Sequence, residues 1–360
     1  MLKQTNIPSY RVAFFTHTFL EPTHYAIEQV LSGLDGYQFH VFAKRFMSEK
    51  VFNINNVANK TFYTKGDIPE LDKSTFDFVH AIYDGKTALR AGFQAKQKGL
   101  PFILSFHGGF DTNAKIFDKR YRQRTQLIAQ ESDVITVVTK SDVRRLKHIG
   151  ITKDIQIVSV PIDFTILPKP IKRDKHRLII VGRLISKKGI DLAIKALLFL
   201  PKEYYLTIIG YGEKEAALME LSKQLDLQKR IQWLGLMPLN KMLNQLNKSS
   251  ILLQPSRVTK DGNADGTPQI ILWAQAMRIP TISTSTGSIP DIIKNGETGI
   301  LIEAENPENT ASAVVKLSNK KLSDQITLCA EKQVIKNHSL YNIMKQWSKM
   351  YNKLSNYGSY

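Results

Sequence analysis

Residues 178–200 read LIIVGRLISKKGIDLAIKALLFL. The run 178–181 is apolar and rich in β-branched residues, which predicts a buried strand. Gly182 and Arg183 end this run, and apolar residues recur at helical spacing after Lys188 and Gly189. A strand, a glycine-containing turn and a helix in this order predict one unit of a parallel α/β sheet.

The same alternation extends along the chain in both directions. Short β-rich runs include RVAFFTH (11–17), FDFVHAIY (76–83), PFILSFHG (101–108) and DVITVVTK (133–140), with amphipathic runs between them. Alternating strands and helices favour a parallel sheet with helices on both faces. The fold class predicted is therefore α/β, with doubly wound parallel sheets.

A stretch rich in proline and charge, PIDFTILPKPIKRDKH (161–176), interrupts this rhythm. Such a composition is typical of an exposed linker. A chain of 360 residues is also longer than one hydrophobic core usually grows. We predict an N-terminal domain over 1–165, a second domain over 166–338, and a terminal helix over 339–360 that returns toward the first domain.

Composition limits the classes of protein. Fifty Lys and Arg residues against 32 Asp and Glu residues leave a net charge of +18, which favours anionic partners. The single cysteine, Cys329, excludes an intramolecular disulfide and fits a reducing compartment. No run approaches the length of a spanning helix, so we expect a cytoplasmic protein, at most peripheral on the inner face of the cell membrane.

Two segments of the second domain predict an anion site. Arg183 and Lys188 lie beside the start of a helix, where cations and helix N–H groups stabilise a diphosphate. Asp265, Gly266 and Thr267 lie in a loop before another amphipathic run, where backbone amides can face an anion and a carboxylate can bind sugar hydroxyls. The structural alternatives are a glycine turn flanked by solvated charges and a helix-capping aspartate.

The order of motifs from Val181 to Ile302 resembles the nucleotide-sugar domain of the retaining glycosyltransferases of family 4. The motifs are VGRLISKKGIDLAIKA, IIGYGE, IQWLG, LLQPS, DGTPQIILWAQAM and STSTGSIPDIIKNGETGILI. The first domain resembles the family more loosely, through FVHAIY, SFHGGFD and VVTKSD. The resemblance implies the GT-B fold, in which two Rossmann-like domains face a central cleft.

The resemblance also implies roles for individual residues. His107 and Asp265 are the expected catalytic residues, with His107 facing the transferred sugar and Asp265 at the first position of the family's acidic pair. Arg183, Lys188, Gly266 and Thr267 are expected at the donor diphosphate. The nucleotide and ribose region is assigned to Gly182, Gly210, Leu234 and Trp273.

The acidic pair departs from the family pattern at its second position. Trp273 stands where the family has a ribose-binding glutamate, and Arg278 stands where a glycine is usual. An indole has one donor and no acceptor for ribose hydroxyls. Trp273 is therefore expected either to stack on the ligand or to pack in the domain.

A basic run, KIFDKRYRQR (115–124), follows the His107 loop. Its aromatic residues and its place in the first domain favour contact with a lipid-phosphate acceptor or an anionic membrane. The alternative is a solvated helix face. The acceptor-side residues predicted here are Lys115, Lys119, Arg120, Arg122 and Arg124.

Three functions compete. The first is a retaining, metal-independent glycosyltransferase that uses a nucleotide-diphosphate sugar, preferably a UDP-sugar over a GDP-sugar, and no resident cofactor, to build a cell-surface polysaccharide or glycolipid. The second is a non-catalytic glycosyltransferase-like subunit that binds a partner enzyme or acceptor. A nucleic-acid binder is the third, and the chain contains no recognition-helix or aromatic sheet motif to support it.

Overall fold

The computed structural model describes residues 10–19, 30, 34, 36–46, 60–62, 68–82, 85–107 and 118–355. These residues divide into two compact units, one with the described residues up to 107, 118–161 and 340–355, and one with 162–339. The chain enters the second unit at Ile162, a few residues before the predicted boundary at 165. Ile162 belongs there because its N–H donates to the carbonyl of His338 at 2.7 Å.

The first domain contains a seven-stranded sheet in the order β3-β2-β1-β4-β5-β6-β7, whose neighbouring strands run parallel. Its strands are β1 (Tyr10–Phe19), β2 (Tyr37–Phe46), β3 (Lys60–Phe62), β4 (Phe78–Ile82), β5 (Phe102–Phe106), β6 (Val134–Val137) and β7 (Ile155–Ile157). The strand order reverses beside β1. Sheets of this kind bind ligands at the carboxyl ends of their strands.

Helices cover both faces of this sheet. Helices α1 (Lys86–Gln97), α2 (Lys119–Glu131) and α3 (Lys140–His148) contribute Ala91, Ile128 and Leu146 to one core. The terminal helix α10 (Leu340–Ser355) contributes Trp347 and Tyr351 to the core on the other face, which includes Phe14. The C-terminal helix is thus part of the first domain.

A buried polar chain crosses the first sheet. His80 on β4 has Nδ1 at 2.6 Å from the hydroxyl of Tyr351 and Nε2 at 2.7 Å from Ser105 Oγ. Ser105 Oγ lies 2.6 Å from Thr136 Oγ1. Burial, with a smaller effect of His107, lowers the pKa of His80 well below its ordinary value of 6.5. These four hydrogen-bonded side chains are therefore electrically neutral at pH 7.

The second domain contains a six-stranded parallel sheet in the order β10-β9-β8-β11-β12-β13. Its strands are β8 (Asp174–Val181), β9 (Tyr205–Ile209), β10 (Ile231–Trp233), β11 (Ser249–Gln254), β12 (Thr281–Thr284) and β13 (Ile300–Ile302). The order reverses beside β8, which contains the apolar run 178–181. Both domains are therefore doubly wound, as predicted.

Six helices accompany this second sheet among the described residues. They are α4 (Ile190–Ala196), α5 (Glu215–Gln224), α6 (Leu239–Asn247), α7 (Gln269–Ala276), α8 (Pro307–Leu317) and α9 (Lys320–His338). The apolar run predicted as one helix over 190–200 is α-helical only to Ala196 and continues as a 3-10 turn, Leu197–Phe199. None of the helices among the described residues combines the length and the hydrophobicity that a membrane span requires.

Candidate functional site

Loops at the carboxyl ends of β8, β9, β11 and β12 pack tightly against one another in the second domain. Gly210 has φ 144°, and a Cβ there would lie 1.8 Å from the carbonyl oxygen of Gly182. Gly287 has φ 59°, and a Cβ there would lie 1.9 Å from the carbonyl oxygen of Asp265. Only glycine permits these backbone approaches, so both positions are required to bring the loops together.

The loop after β8 places two lysines at one point. Ser186–Lys188 form a 3-10 turn, and Gly189 follows in the left-handed conformation before α4 begins. The amide of Arg257 donates to the carbonyl of Lys187 at 2.9 Å, which ties this turn to the loop after β11. The side chains of Lys187 and Lys188 therefore reach the loop that carries Asp265.

The carboxylate of Asp265 is the centre of the cluster. Lys188 Nζ lies 2.9 Å from Oδ1 and 3.0 Å from Oδ2, and Lys187 Nζ lies 3.7 Å from Oδ1. Ser256 Oγ donates to Oδ2 at 2.6 Å, and Gln254 Nε2 lies 3.4 Å from the same oxygen. Asp265 thus has its acceptor sites occupied by protein groups.

Electrostatics keep this carboxyl ionised although it is only 3% exposed. Burial raises the pKa of Asp265, but Lys188, Lys187 and the hydroxyl of Ser256 outweigh burial and hold it below its ordinary value. Burial lowers the pKa of Lys187, and Asp265 opposes that shift. The positive charges of Lys188 and Arg183 lower the pKa of Lys187 further, so Arg183 acts on the same cluster.

The loop between Asp265 and α7 contains the two other predicted anion-binding residues. Gly266 is half-buried. The hydroxyl of Thr267 is buried and has no hydrogen-bond partner among the described residues. Buried hydroxyls normally have a hydrogen-bond partner, so the Thr267 hydroxyl is suited to donate to an oxygen of a bound anion. The residue that caps α7 is Pro268, not Asp265, which removes the helix-capping alternative for the aspartate.

The predicted nucleotide region lies at the ends of three neighbouring strands. Gly182 follows β8, Gly210 follows β9 and Leu234 follows β10. Their backbones are joined, because Gly182 N donates to Ile209 O at 3.0 Å and Leu234 N donates to Ile208 O at 2.9 Å. These three residues form a continuous edge.

Trp273, by contrast, lies inside the domain. The residues of α7 from Ile270 to Ala276 are all buried, and Trp273 is 2% exposed. The position supports the packing alternative over stacking on a ligand. Arg278, just after the helix, has φ 51° and pairs with Glu331 at 2.6 Å. Arg173 also donates to the carbonyls of Met277 and Arg278 at 2.5 and 2.7 Å.

The predicted residues of the first domain separate into two groups. His107 follows β5 directly and is half-buried, at the carboxyl edge of its sheet. Lys119, Arg120 and Arg122 are exposed on α2, and Arg124 is half-buried. Lys115 lies outside the described residues.

Tyr121, one of the two aromatic residues of the basic run, is buried in the first-domain core. Its ring is therefore not part of an acceptor surface, contrary to our expectation. The part of the run on α2 therefore exposes cationic side chains, but not the ring of Tyr121.

Within the described residues, no group of three His, Cys, Asp or Glu side chains is placed to hold a metal ion.

Sequence reasoning missed three members of the cluster: Lys187, Ser256 and Gln254. The doublet of Lys187 and Lys188 is a visible signal, but the interpretation assigned a role to Lys188 alone. Ser256 and Gln254 carry no such signal, because polar residues at the end of a strand are common. Their role depends on the distance from β11 to the loop that carries Asp265.

The two doubly wound domains define a class of protein. The fold is shared with the solved structure of Anabaena Alr3699/HepE in complex with UDP and glucose, with a TM-score of 0.80 and 12% identity. That likeness covers 95% of this chain and 99% of the other. The chain therefore has the GT-B fold, as predicted.

Sequence comparison gives the family. Residues 163–333 match the model of the glycosyl transferases group 1, and residues 11–165 match that of glycosyltransferase family 4. The chain belongs to the family 4 glycosyltransferases, which confirms the resemblance seen in its motifs.

Two curated relatives are named for polysaccharide synthesis. The chain is 26% identical over 251 residues to the amylovoran biosynthesis glycosyltransferase AmsK of Erwinia amylovora, which covers 67% of this chain and 60% of that protein. It is 28% identical over 221 residues to the putative colanic acid biosynthesis glycosyltransferase WcaL of Escherichia coli, covering 59% and 53%. The matches thus span less than two thirds of each relative.

Proposed function

We propose that this protein transfers a sugar, with retention of configuration, from a nucleotide-diphosphate donor to a carbohydrate or lipid-linked acceptor. The observation that carries the proposal is the cluster of Lys187, Lys188 and Asp265, followed two residues later by the hydroxyl of Thr267, which has no hydrogen-bond partner among the described residues. Two cations share one carboxylate at the edge where such sheets bind ligands. The cluster therefore has an excess positive charge for a diphosphate.

In this proposal, Arg183 and Lys188 hold the diphosphate, with Gly266 and Thr267 beside it. The bond between the sugar C1 and the diphosphate oxygen breaks, and the electron pair stays on the diphosphate. Preorganised cations stabilise that developing charge. These side chains supply the charge in place of a metal ion, so a chelator such as EDTA is expected to leave turnover unchanged.

The acceptor hydroxyl bonds to C1 on the face that the diphosphate leaves, and its proton passes to the departing diphosphate. His107 is proposed to contact the transferred sugar. Asp265 is proposed to accept a sugar hydroxyl, which requires the exchange of one of its present contacts. Gly182, Gly210 and Leu234 are proposed to line the nucleotide, and a UDP-sugar is the proposed donor because the structural relative HepE binds UDP.

The names of two relatives support the proposed acceptor class. AmsK and WcaL are named for amylovoran and colanic acid biosynthesis, and we extend polysaccharide or glycolipid synthesis to this chain. We place the reaction in the cytoplasm, at the inner face of the membrane. The exposed cations of α2, Lys119, Arg120 and Arg122, are the proposed contact with anionic lipid.

Lipid binding is tested by sedimentation with vesicles. Vesicles that contain phosphatidylglycerol are expected to bind the protein and to release it as salt rises, because exposed charges are screened. Neutral vesicles are expected to bind poorly. Equal binding to both vesicle types, or no loss after neutralisation of the α2 cations, would make the run a solvated face.

The donor is tested by thermal stabilisation with a panel of nucleotide sugars. A ligand that binds the native state raises its melting temperature. We expect stabilisation by a UDP-sugar, followed by release of UDP when acceptor is added. Stabilisation without any turnover would favour a non-catalytic subunit, and no stabilisation by any nucleotide sugar would remove the donor site.

A further inference from the structure

The two lysines of the cluster are held in different ways. Lys188 Nζ contacts both oxygens of Asp265, at 2.9 and 3.0 Å. Lys187 Nζ lies 3.7 Å from Oδ1, and also 3.3 Å from Asn263 Oδ1 and 3.4 Å from the carbonyl of Ala264. Lys187 is thus fixed by the loop before Asp265, whereas Lys188 Nζ contacts the carboxylate of Asp265 itself.

Burial makes the position of Lys187 informative. The residue is only 8% exposed, and removal of an ammonium group from water carries a large desolvation cost. A surface cation at this position would avoid that cost. The buried ammonium therefore needs an anionic partner, and among the described residues the carboxylate of Asp265, 3.7 Å away and itself buried, provides it.

Charge balance changes when a diphosphate binds. If Lys188 turns toward a phosphate oxygen, the carboxylate of Asp265 loses its shortest ion pair. A buried carboxylate without a cation is strongly destabilising. Lys187 remains within 3.7 Å of Oδ1, and Ser256 still donates to Oδ2 at 2.6 Å.

We infer that Lys187 is the resident counterion of Asp265, which allows Lys188 to move its ammonium group from Asp265 to the donor diphosphate. Lys187 is a positioning residue, because it acts through Asp265 and Lys188 and does not itself contact the donor. The inference rests on the proposed function. It assigns different tasks to two adjacent lysines.

The test is a double-mutant cycle with Lys187→Met and Asp265→Asn, read by calorimetric titration of UDP and of inorganic pyrophosphate. In Lys187→Met, Asp265 has only Lys188 as a cation, so pyrophosphate affinity is expected to fall about tenfold or more. Asp265→Asn in the same chain removes the carboxylate that holds Lys188, and affinity is expected to recover. A purely structural lysine would not be rescued in this way.

Controls separate the possible causes. Lys195→Met removes one charge from α4, outside the cluster, and is expected to bind pyrophosphate like the native protein. Lys188→Met is expected to bind weakly whether residue 265 is Asp or Asn. If Lys187→Met does not fold, Asp265→Asn alone decides, and tighter pyrophosphate binding than in the native protein is expected.

The outcomes are distinct. Native-like pyrophosphate binding by folded Lys187→Met, or no recovery in the double mutant, would overturn the counterion role. The proposed donor site would still stand if the native protein binds UDP and pyrophosphate. Unchanged or weaker binding by Asp265→Asn alone would overturn it when the single lysine variant is unfolded. A native protein that binds neither UDP nor pyrophosphate would instead overturn the proposed function, and the counterion role with it.

Discussion

Each domain buries a polar cluster in or beside its sheet, and the two clusters differ in charge. In the first domain, hydrogen bonds link Tyr351 to His80, His80 to Ser105 and Ser105 to Thr136, and these side chains satisfy one another as neutral groups. In the second domain, two ammonium groups share the carboxylate of Asp265. A satisfied neutral network specifies packing, whereas an excess of buried charge indicates a ligand of opposite sign.

The largest effect is expected in the apolar part of the second domain. Trp273→Glu puts a carboxylate where the indole is 2% exposed. Loss of the packed ring and burial of an unpaired charge are together expected to lower the free energy of unfolding by about 4 kcal/mol or more. Chemical denaturation followed by circular dichroism measures the change.

Trp273→Phe is the matched control, because it keeps an apolar ring and is expected to cost much less. A Trp273→Glu protein that folds like the native one and binds UDP more tightly would show that position 273 faces ribose. That result would restore the stacking alternative for this residue. Residue 273 would then face the ligand, although the indole is packed inside the domain in the structure.

Removal of a cation from the charged cluster should affect catalysis more than folding. Arg183→Ala and Lys188→Ala are each expected to lower turnover roughly 10²-fold, because preorganised charges act most strongly on the departing diphosphate. Melting temperature is expected to change little. Steady-state release of UDP measures the effect, and native turnover in a folded double variant would remove the diphosphate assignment.

The neutral cluster of the first domain should instead make stability depend on pH. The unfolded chain protonates His80 near its ordinary value of 6.5, whereas the folded chain does so only at much lower pH. Below pH 6.5, and down to the lowered pKa of the folded state, the unfolded state therefore binds more protons than the folded state. Stability falls as pH decreases through this range. The slope is at most about 1.4 kcal/mol per pH unit for this one group.

His80→Gln removes the titrating group and retains hydrogen-bonding capacity. We expect the melting temperature of this variant to fall less steeply than that of the native protein between pH 6.5 and acid pH. Pyrophosphate affinity of the folded variant at neutral pH should match the native value. Equal pH slopes in the two proteins would assign the acid sensitivity to other groups.

The smallest effect is expected at an exposed ion pair of the second domain. Arg278 has a left-handed backbone at φ 51° and pairs with Glu331. Arg278→Gly relieves the backbone strain and removes an exposed pair, so the two contributions should nearly cancel, within about 1 kcal/mol. Pyrophosphate titration should be unchanged, and a large loss of affinity would show that charge outside the cluster also attracts the ligand.

Much of the architecture could be predicted from local pattern. The run 178–200 predicted a strand, a turn and a helix, and the structure contains β8, the 3-10 turn Ser186–Lys188 and α4 there. The doubly wound class followed from the alternation of such runs. Local spacing determines these elements because side-chain periodicity decides which face of a segment is apolar.

The sequence by itself also identified Lys188 and Asp265 as separate candidates. It did not pair them, because 77 positions separate the two residues along the chain. The pairing depends on strand order, which places β11 next to β8 and so brings their carboxyl-end loops together. The burial of Trp273 and Tyr121 was decided in the same way, by neighbouring elements that no local pattern specifies. Contacts between distant segments arise only when the sheet is assembled, so the tertiary structure alone determined which charges meet.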